Sequence, residues 1–231
     1  WYVPEKTVVV IAGKIDEQHA ADMQTQVTEW FGSVPKKETP AMETVSDGQH
    51  GPQVKIITKP DASQAHITLG TRIFNRSSEE RFAWGVFNLL FGVSFTSRLF
   101  KEIREKKGLC YHIRSSSDTW DDVGYWSIYA GVGTEKVEEA VEGIMLELQK
   151  AVQDGVTEEE IVIAKKRLST MLAFKSEDPE FLNEYYGRQE LYHQPIVTLP
   201  EYLEKIQAVE KHEIDTLIRK YLVRDTLNLA V

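Results

Sequence analysis

Cysteine is almost absent. Cys110 is the single thiol in 231 residues, so no internal disulfide can staple the chain and a thiolate zinc knuckle lacks its ligands. Long apolar runs are missing too. None approaches the roughly 18 residues that a membrane-spanning helix needs, so no membrane span is expected in this stretch. Positive charge is in deficit: Lys and Arg total 27 against 36 Asp and Glu, a formal charge of −9. That disfavours nucleic acid, whose phosphates need clustered cations. No block of like charge is long enough for a tail. An initiating Met is also lacking. The chain opens on Trp1 within a strand-like run and reads as a piece of something larger, with any secretory leader lying outside it.

Familiar catalytic patterns are missing as well. The histidines are His19, His50, His66, His112, His193 and His212, and none has a second His three to five residues away. Neither H-E-x-x-H nor H-x-x-E-H occurs; His212-Glu213 begins the first, but Thr216 stands where its second His belongs. A catalytic zinc needs three protein ligands and an open position. Each His therefore reads as a surface or satisfied polar residue, and no metal is expected to be bound by this chain. There is no G-x-S-x-G. Gly131-Val132-Gly133 is no dinucleotide fingerprint, because Lys136 occupies the third glycine position. Cys110 and His112 lie two apart in a strand-like run and would share a face. That spacing suits a thiolate and its base. A small buried side chain beside an unrelated His is the favoured reading.

What is present begins with aromatics, five Trp, nine Tyr and nine Phe, enough for a sizeable core. Thr7–Ala12 is β-branched and apolar and predicts a buried strand. Asp16 is placed to cap a helix to about Phe31, with Gly32 at the stop position. Residues 33–52 hold Pro35, Pro40 and Pro52 and read as linker or loop. Strands are predicted at 54–58 and Gln64–Ile73. Helices follow from Ser77 or Ser78 to Leu90, interrupted by Gly92, and over Ser97–Lys107, stopped by Gly108. Cys110–Ser117 and Val123–Ala130 read as a hairpin. A helix over Thr134–Asp154 precedes Gly155. Thr157 with Glu160, and Thr198 with Glu201, have capping-box spacing for two more helices. The segment from Thr226 is strand-like.

One helix carries an unusual arginine. Along Ser97–Lys107, Arg98 can pair with Glu102, Glu102 with Lys106 and Lys101 with Glu105 at i,i+4. Arg104 has no such partner and lies beside the apolar stripe of Leu99, Phe100 and Ile103. Tyr111 follows just past the glycine stop. Two such donors could converge on a peptide carbonyl or a developing oxyanion. A cation in a helix's last turns is also favoured by the macrodipole, without any ligand.

The ends of the chain echo each other. Tyr2 and Thr7 precede one apolar run, Tyr221 and Thr226 another, at an offset of 219 residues. A period that long can mark a duplicated unit. The simplest account is a two-part parent whose first half ends near residues 12–35; chance recurrence of Tyr and Thr near strands is the alternative, which two identities alone leave favoured.

The run Leu89-Leu-Phe-Gly-Val-Ser-Phe-Thr-Ser-Arg-Leu-Phe-Lys-Glu-Ile-Arg-Glu-Lys-Lys-Gly-Leu-Cys-Tyr111 resembles the second half of the pitrilysin, or insulinase-like, zinc peptidases, a group that includes the mitochondrial processing peptidases. Tyr2-x-Pro4, Gln64-Ala-His-Ile-Thr-Leu-Gly70 and Gly124-Tyr-Trp-Ser-Ile-Tyr129 extend the resemblance across the chain. It implies an α+β fold, an antiparallel sheet backed by several helices, forming one half of a two-half clamshell. Residues 1–35 would then end the preceding N-terminal half, 36–52 would link, and 53–231 would form the C-terminal domain. The resemblance maps the family's substrate-contacting pair onto Arg104 and Tyr111, which would steady the scissile carbonyl or its oxyanion. Zinc would be held by the missing half or by a partner subunit, in a homo- or heterodimer, with an extended peptide as substrate and the present chain inactive alone. A non-catalytic subunit or scaffold of the same fold is the alternative. Leu-Phe-Gly-Val-Ser departs from the family's glycine-rich turn and predicts a stiffer loop; Cys110 replaces a common Ala.

Overall fold

The computed structural model describes residues 2–41, 43–46 and 48–231; Trp1, at the start of the strand-like run, and Met42 and Asp47, inside the segment read as linker, lie outside the described residues. The chain divides into two units, one comprising everything through Thr44 together with Ser169–Leu203, the other Val45–Leu168 with Glu204–Val231.

The larger unit is built on one sheet. Its strands are β1 (Gln53–Lys55), β2 (Gln64–Ile73), β3 (Cys110–Thr119), β4 (Gly124–Gly133) and β5 (Asn228–Ala230), in the order β1-β5-β2-β4-β3. β2 and β4 pair antiparallel along their full length, from Gln64 opposite Gly133 to Ile73 opposite Gly124. β3 returns antiparallel beside β4, and β5 lies antiparallel to β2. One correction applies to the expected antiparallel sheet: β1 pairs parallel to β5, Gln53 opposite Asn228, so the sheet is mixed.

Alternation explains which face is buried. Ile67, Leu69, Thr71 and Ile73 of β2, and Trp126, Ile128, Ala130 and Val132 of β4, point inward, and that β4 quartet is wholly buried. Helices α2 (Glu80–Asn88), α3 (Val137–Asp154) and α7 (Lys211–Tyr221) pack on the same side. Trp84 and Phe87 of α2 meet Trp126 at ring-centroid distances of 5.8 and 5.9 Å. Asn88 ties the layers, accepting from Trp126 Nε1 at 2.7 Å and Ser115 Oγ at 2.6 Å.

The two anticipated capping boxes are present. Thr157 N–H donates to Glu160 at 2.8 Å and Glu160 N–H to Thr157 Oγ1 at 3.2 Å, opening α4 (Glu158–Lys175). Thr198 N–H donates to Glu201 at 2.7 Å at the start of α6 (Leu199–Ala208).

In the smaller unit, α1 (Glu17–Phe31) starts at Asp16, whose carboxylate accepts from His19 N–H at 2.9 Å, and ends at Gly32. That exposed carboxylate is held below its ordinary range chiefly by this bond. α5 (Pro179–Leu191) is tied to the chain beyond it by Tyr185 Oη donating to Val197 O at 2.8 Å. Thr7–Ala12 is not the buried strand its composition suggests. It has no ladder partner among the described residues, and Val9 and Ile11 are 43 % and 48 % exposed. Without a partner to satisfy its backbone, a β-branched run stays extended and wet.

Candidate functional site

Arg104 and Tyr111 stand on either side of one turn at the edge of the sheet. The helix leading to Arg104 is wider than an α-helix. After α2 the chain continues as a π-helix over Leu89–Val93, and a second π-helix spans Phe100–Lys106 where α-helical spacing was expected. Such widened turns are rare and concentrate at functional sites.

The inward side of this segment is firmly held. Ser97, Leu99 and Ile103 are fully buried. Arg98 does not pair with Glu102. It donates to Glu160 at 2.6 and 2.7 Å and to Gly155 O at 2.9 Å. The Glu160 hydrogen bonds raise the Arg98 guanidinium above its ordinary range, against the opposing pull of burial. Burial pushes the Glu160 carboxyl up, but the bonds from Arg98 and Thr157 outweigh it and hold it below the ordinary carboxylate range. Glu102 pairs with Lys106 at 2.5 Å, as its spacing predicts.

Gly92 permits close packing. A Cβ there would fall 2.3 Å from Ser115 Oγ and 2.9 Å from Ser115 N, so the first π-helix rests directly on β3. Here the departure from a glycine-rich turn leaves one glycine where contact demands it.

The turn itself depends on Gly108, at φ +61, a left-handed conformation that a Cβ disfavours. Leu109 N–H reaches back to Ile103 O at 3.0 Å, and Lys136 Nζ donates to Gly108 O at 3.0 Å. Leu109 and Cys110 are buried. Then the ladder is interrupted. Cys110 faces Val132 and His112 faces Gly131, neighbours on β4, so Tyr111 is the extra residue of a β-bulge. Its side chain is 72 % exposed.

The bulge overturns one expectation. Cys110 is buried and His112 exposed, on opposite sides of the strand, so they form no dyad. Burial pushes the Cys110 thiol up to about 11, although the nearby Arg104 charge opposes it. A neutral buried thiol is a poor nucleophile. Arg104 is exposed, with its guanidinium 4.8 Å from the centroid of Phe100. Among the described residues, the side chains of Arg104 and Tyr111 have no hydrogen bond or ion pair. Both are free donors on anchored backbone.

The outer face of the sheet, beside this turn, was not foreseen. His66 Nδ1 lies 2.7 Å from Tyr129 Oη, and the rings of His66 and His112 both sit 5.9 Å from that of Tyr129. The residues are distant in sequence, and only the strand register brings them together. Among the described residues, no three His, Cys, Asp or Glu side chains gather so as to hold a metal ion, so the donor set present here does not fit zinc. No described helix is long and apolar enough to cross a membrane.

Comparison with known proteins agrees with this architecture. The family model described as the peptidase M16 inactive domain matches residues 1–168. An uncharacterized zinc protease of Mycobacterium leprae is 32 % identical over 224 residues, covering 96 % of this chain and 49 % of the relative. A protease from Helicobacter pylori superposes with a TM-score of 0.84 at 16 % identity, covering 95 % of this chain and 53 % of that one. The crystal structure of a peptidase M16 inactive domain from Pseudomonas fluorescens superposes with a TM-score of 0.80 at 20 % identity, over 94 % and 51 % of the two chains. The chain thus spans about half the length of the curated relatives it matches, 53 % and 49 % for two of them. With an α+β sheet and helices of this topology, and a family match over most of its length, the chain belongs to the peptidase M16 inactive-domain family.

Proposed function

We propose that this chain is the substrate-binding, zinc-free half of a zinc-dependent endopeptidase. The observation that carries this reading is the placement of Arg104 and Tyr111 on either side of one turn: two exposed donors without side-chain hydrogen bonds or ion pairs among the described residues, one on a buried-anchored π-helix and one on a β-bulge. Free donors on rigid backbone suit a peptide carbonyl that gains negative charge, because they need no reorganisation when the charge develops. Zinc belongs to the other half of the parent protein, or to a partner subunit in a homo- or heterodimer, and the present chain is inactive alone. The division into residues 1–35, 36–52 and 53–231 is part of the same reading. An extended peptide can lie along the outer edge of β3, where backbone groups are available for strand addition.

In the assembled zinc-containing protein, Arg104→Ala and Tyr111→Phe should each lower kcat/KM for a peptide by roughly 10²–10³-fold, the cost of losing one oxyanion donor. Zinc content should not change. Unchanged kinetics in both variants would sink the assignment. The alternative is a non-catalytic subunit or scaffold of the same fold that binds peptides or partner subunits. An assembled protein that binds zinc poorly and cleaves no peptide would establish it.

A further inference from the structure

The outer sheet face carries a cluster that Arg104 and Tyr111 leave unused. Two rows cross β2, β4 and β3 in register: Thr68, Tyr129 and Arg114, then His66, Gly131 and His112. Gly131 contributes no side chain, and the rings of His66 and His112 each sit 5.9 Å from that of Tyr129. A Cβ built there would meet only Tyr129 Oη, at 3.7 Å. Arg114 is exposed and, among the described residues, has no ion pair or hydrogen bond from its side chain. The two rows hold no carboxylate. Glu135 borders them, its Oε1 2.5 Å from where a Gly133 Cβ would stand, one row beyond Gly131.

Each of these groups can donate, although the mutual hydrogen bond of His66 and Tyr129 uses one of that pair's two protons. Neutral imidazole offers one N–H, the phenol one O–H, and the guanidinium a fork matched to a carboxylate. With Tyr129 Oη beside His66 Nδ1, the second ring nitrogen of His66 is free to face solvent. A cationic peptide side chain would meet Arg114 with like charge, and an apolar one would leave these donors without acceptors. A carboxylate satisfies them. The chain as a whole carries −9, so a cation-bearing patch offers local complementarity that the overall charge does not.

We infer that His66, His112, Arg114 and Tyr129 form a subsite for an acidic side chain of the bound peptide. This rests on the reading of the chain as a peptide-binding half and adds a substrate class to it. The site takes Asp or Glu, and Glu135 limits its depth by repulsion.

The test uses two fluorescein-labelled peptides identical except for one Glu replaced by Gln. Binding is followed by fluorescence anisotropy to the assembled protein under a metal chelator, so that no turnover intervenes. The Glu peptide should bind about tenfold more tightly, the scale of a charge-assisted contact. Arg114→Gln should abolish the preference, His112→Gln should weaken it several-fold, and Glu135→Gln should strengthen it. Circular dichroism confirms that these exposed substitutions leave the fold intact. Equal affinity for both peptides, no binding of either, or a preference that survives Arg114→Gln and His112→Gln together would overturn the subsite. Restoring zinc separates the two readings. A preference without hydrolysis removes the peptidase assignment and keeps the subsite; hydrolysis without preference does the reverse.

Discussion

Chemistry at single residues follows from what surrounds them. Arg104 and Cys110 lie close enough for the guanidinium to lower the thiol's proton affinity, yet burial wins and Cys110 is pushed up to about 11. At pH 8 that leaves about 100-fold less thiolate than an ordinary Cys with its pKa near 9. Alkylation of Cys110 by iodoacetamide should be slower than that of a model thiol by about that factor. The sign of the stability effect is set by linkage. Between pH 9 and 11 the unfolded chain has released this proton and the folded chain has kept it. The unfolded state then binds fewer protons, so stability falls as pH rises through that window, by roughly 2–3 kcal/mol. Chemical denaturation across this range should show the fall in the wild type and a shallower one in Cys110→Ala. His66 and Tyr129 show the opposite limit of what residues reveal. Each reads as an unremarkable polar position on a strand, and their 2.7 Å contact spans 63 positions in sequence. No local pattern marks it; only strand register does.

Elements were legible where a physical signal was local. The ends of β2, the Asp16 cap and the Thr157–Glu160 box follow directly from alternation and capping chemistry. The widened helices and the bulge did not announce themselves. The bulge inserts one residue, so the inward positions of β3 step from Cys110 to Ile113, three apart instead of two, and simple alternation assigns the wrong face. That is why Arg104 and Tyr111 could be singled out as unpaired donors while Cys110 and His112 were placed on a common face. Thr7–Ala12 failed for a different reason: a β-branched run has strand character only once it has a partner. Close approach between elements leads to a sharp expectation. Gly92→Ala places a Cβ 2.3 Å from Ser115 Oγ, 2.7 Å from Ser115 Cβ and 2.9 Å from its backbone nitrogen. The two segments must separate, at a cost of roughly 1–3 kcal/mol. A urea titration should show a lower midpoint at unchanged slope. Ser115→Gly in the same chain should restore only part of the loss, because the backbone nitrogen remains.

Across the whole molecule, protection is unevenly distributed. α1 buries none of its residues, whereas Trp126, Ile128, Ala130 and Val132 of β4 are wholly buried in the larger unit. Local opening therefore costs little in α1 and approaches global unfolding in β4. Native-state hydrogen exchange should find Glu17–Phe31 amides exchanging roughly 10³-fold faster than those of the inner β4 positions. Comparable protection in both would mean that α1 is covered in solution. Tyr111 stands apart from the pairing that builds the sheet. Cys110 opposite Val132 and His112 opposite Gly131 would make a regular ladder if the residue between them were absent. The inward and outward parity of every other β3 position is independent of it. Tyr111 is thus a supernumerary letter in an otherwise complete strand, free to vary or vanish without a change in the sheet's grammar.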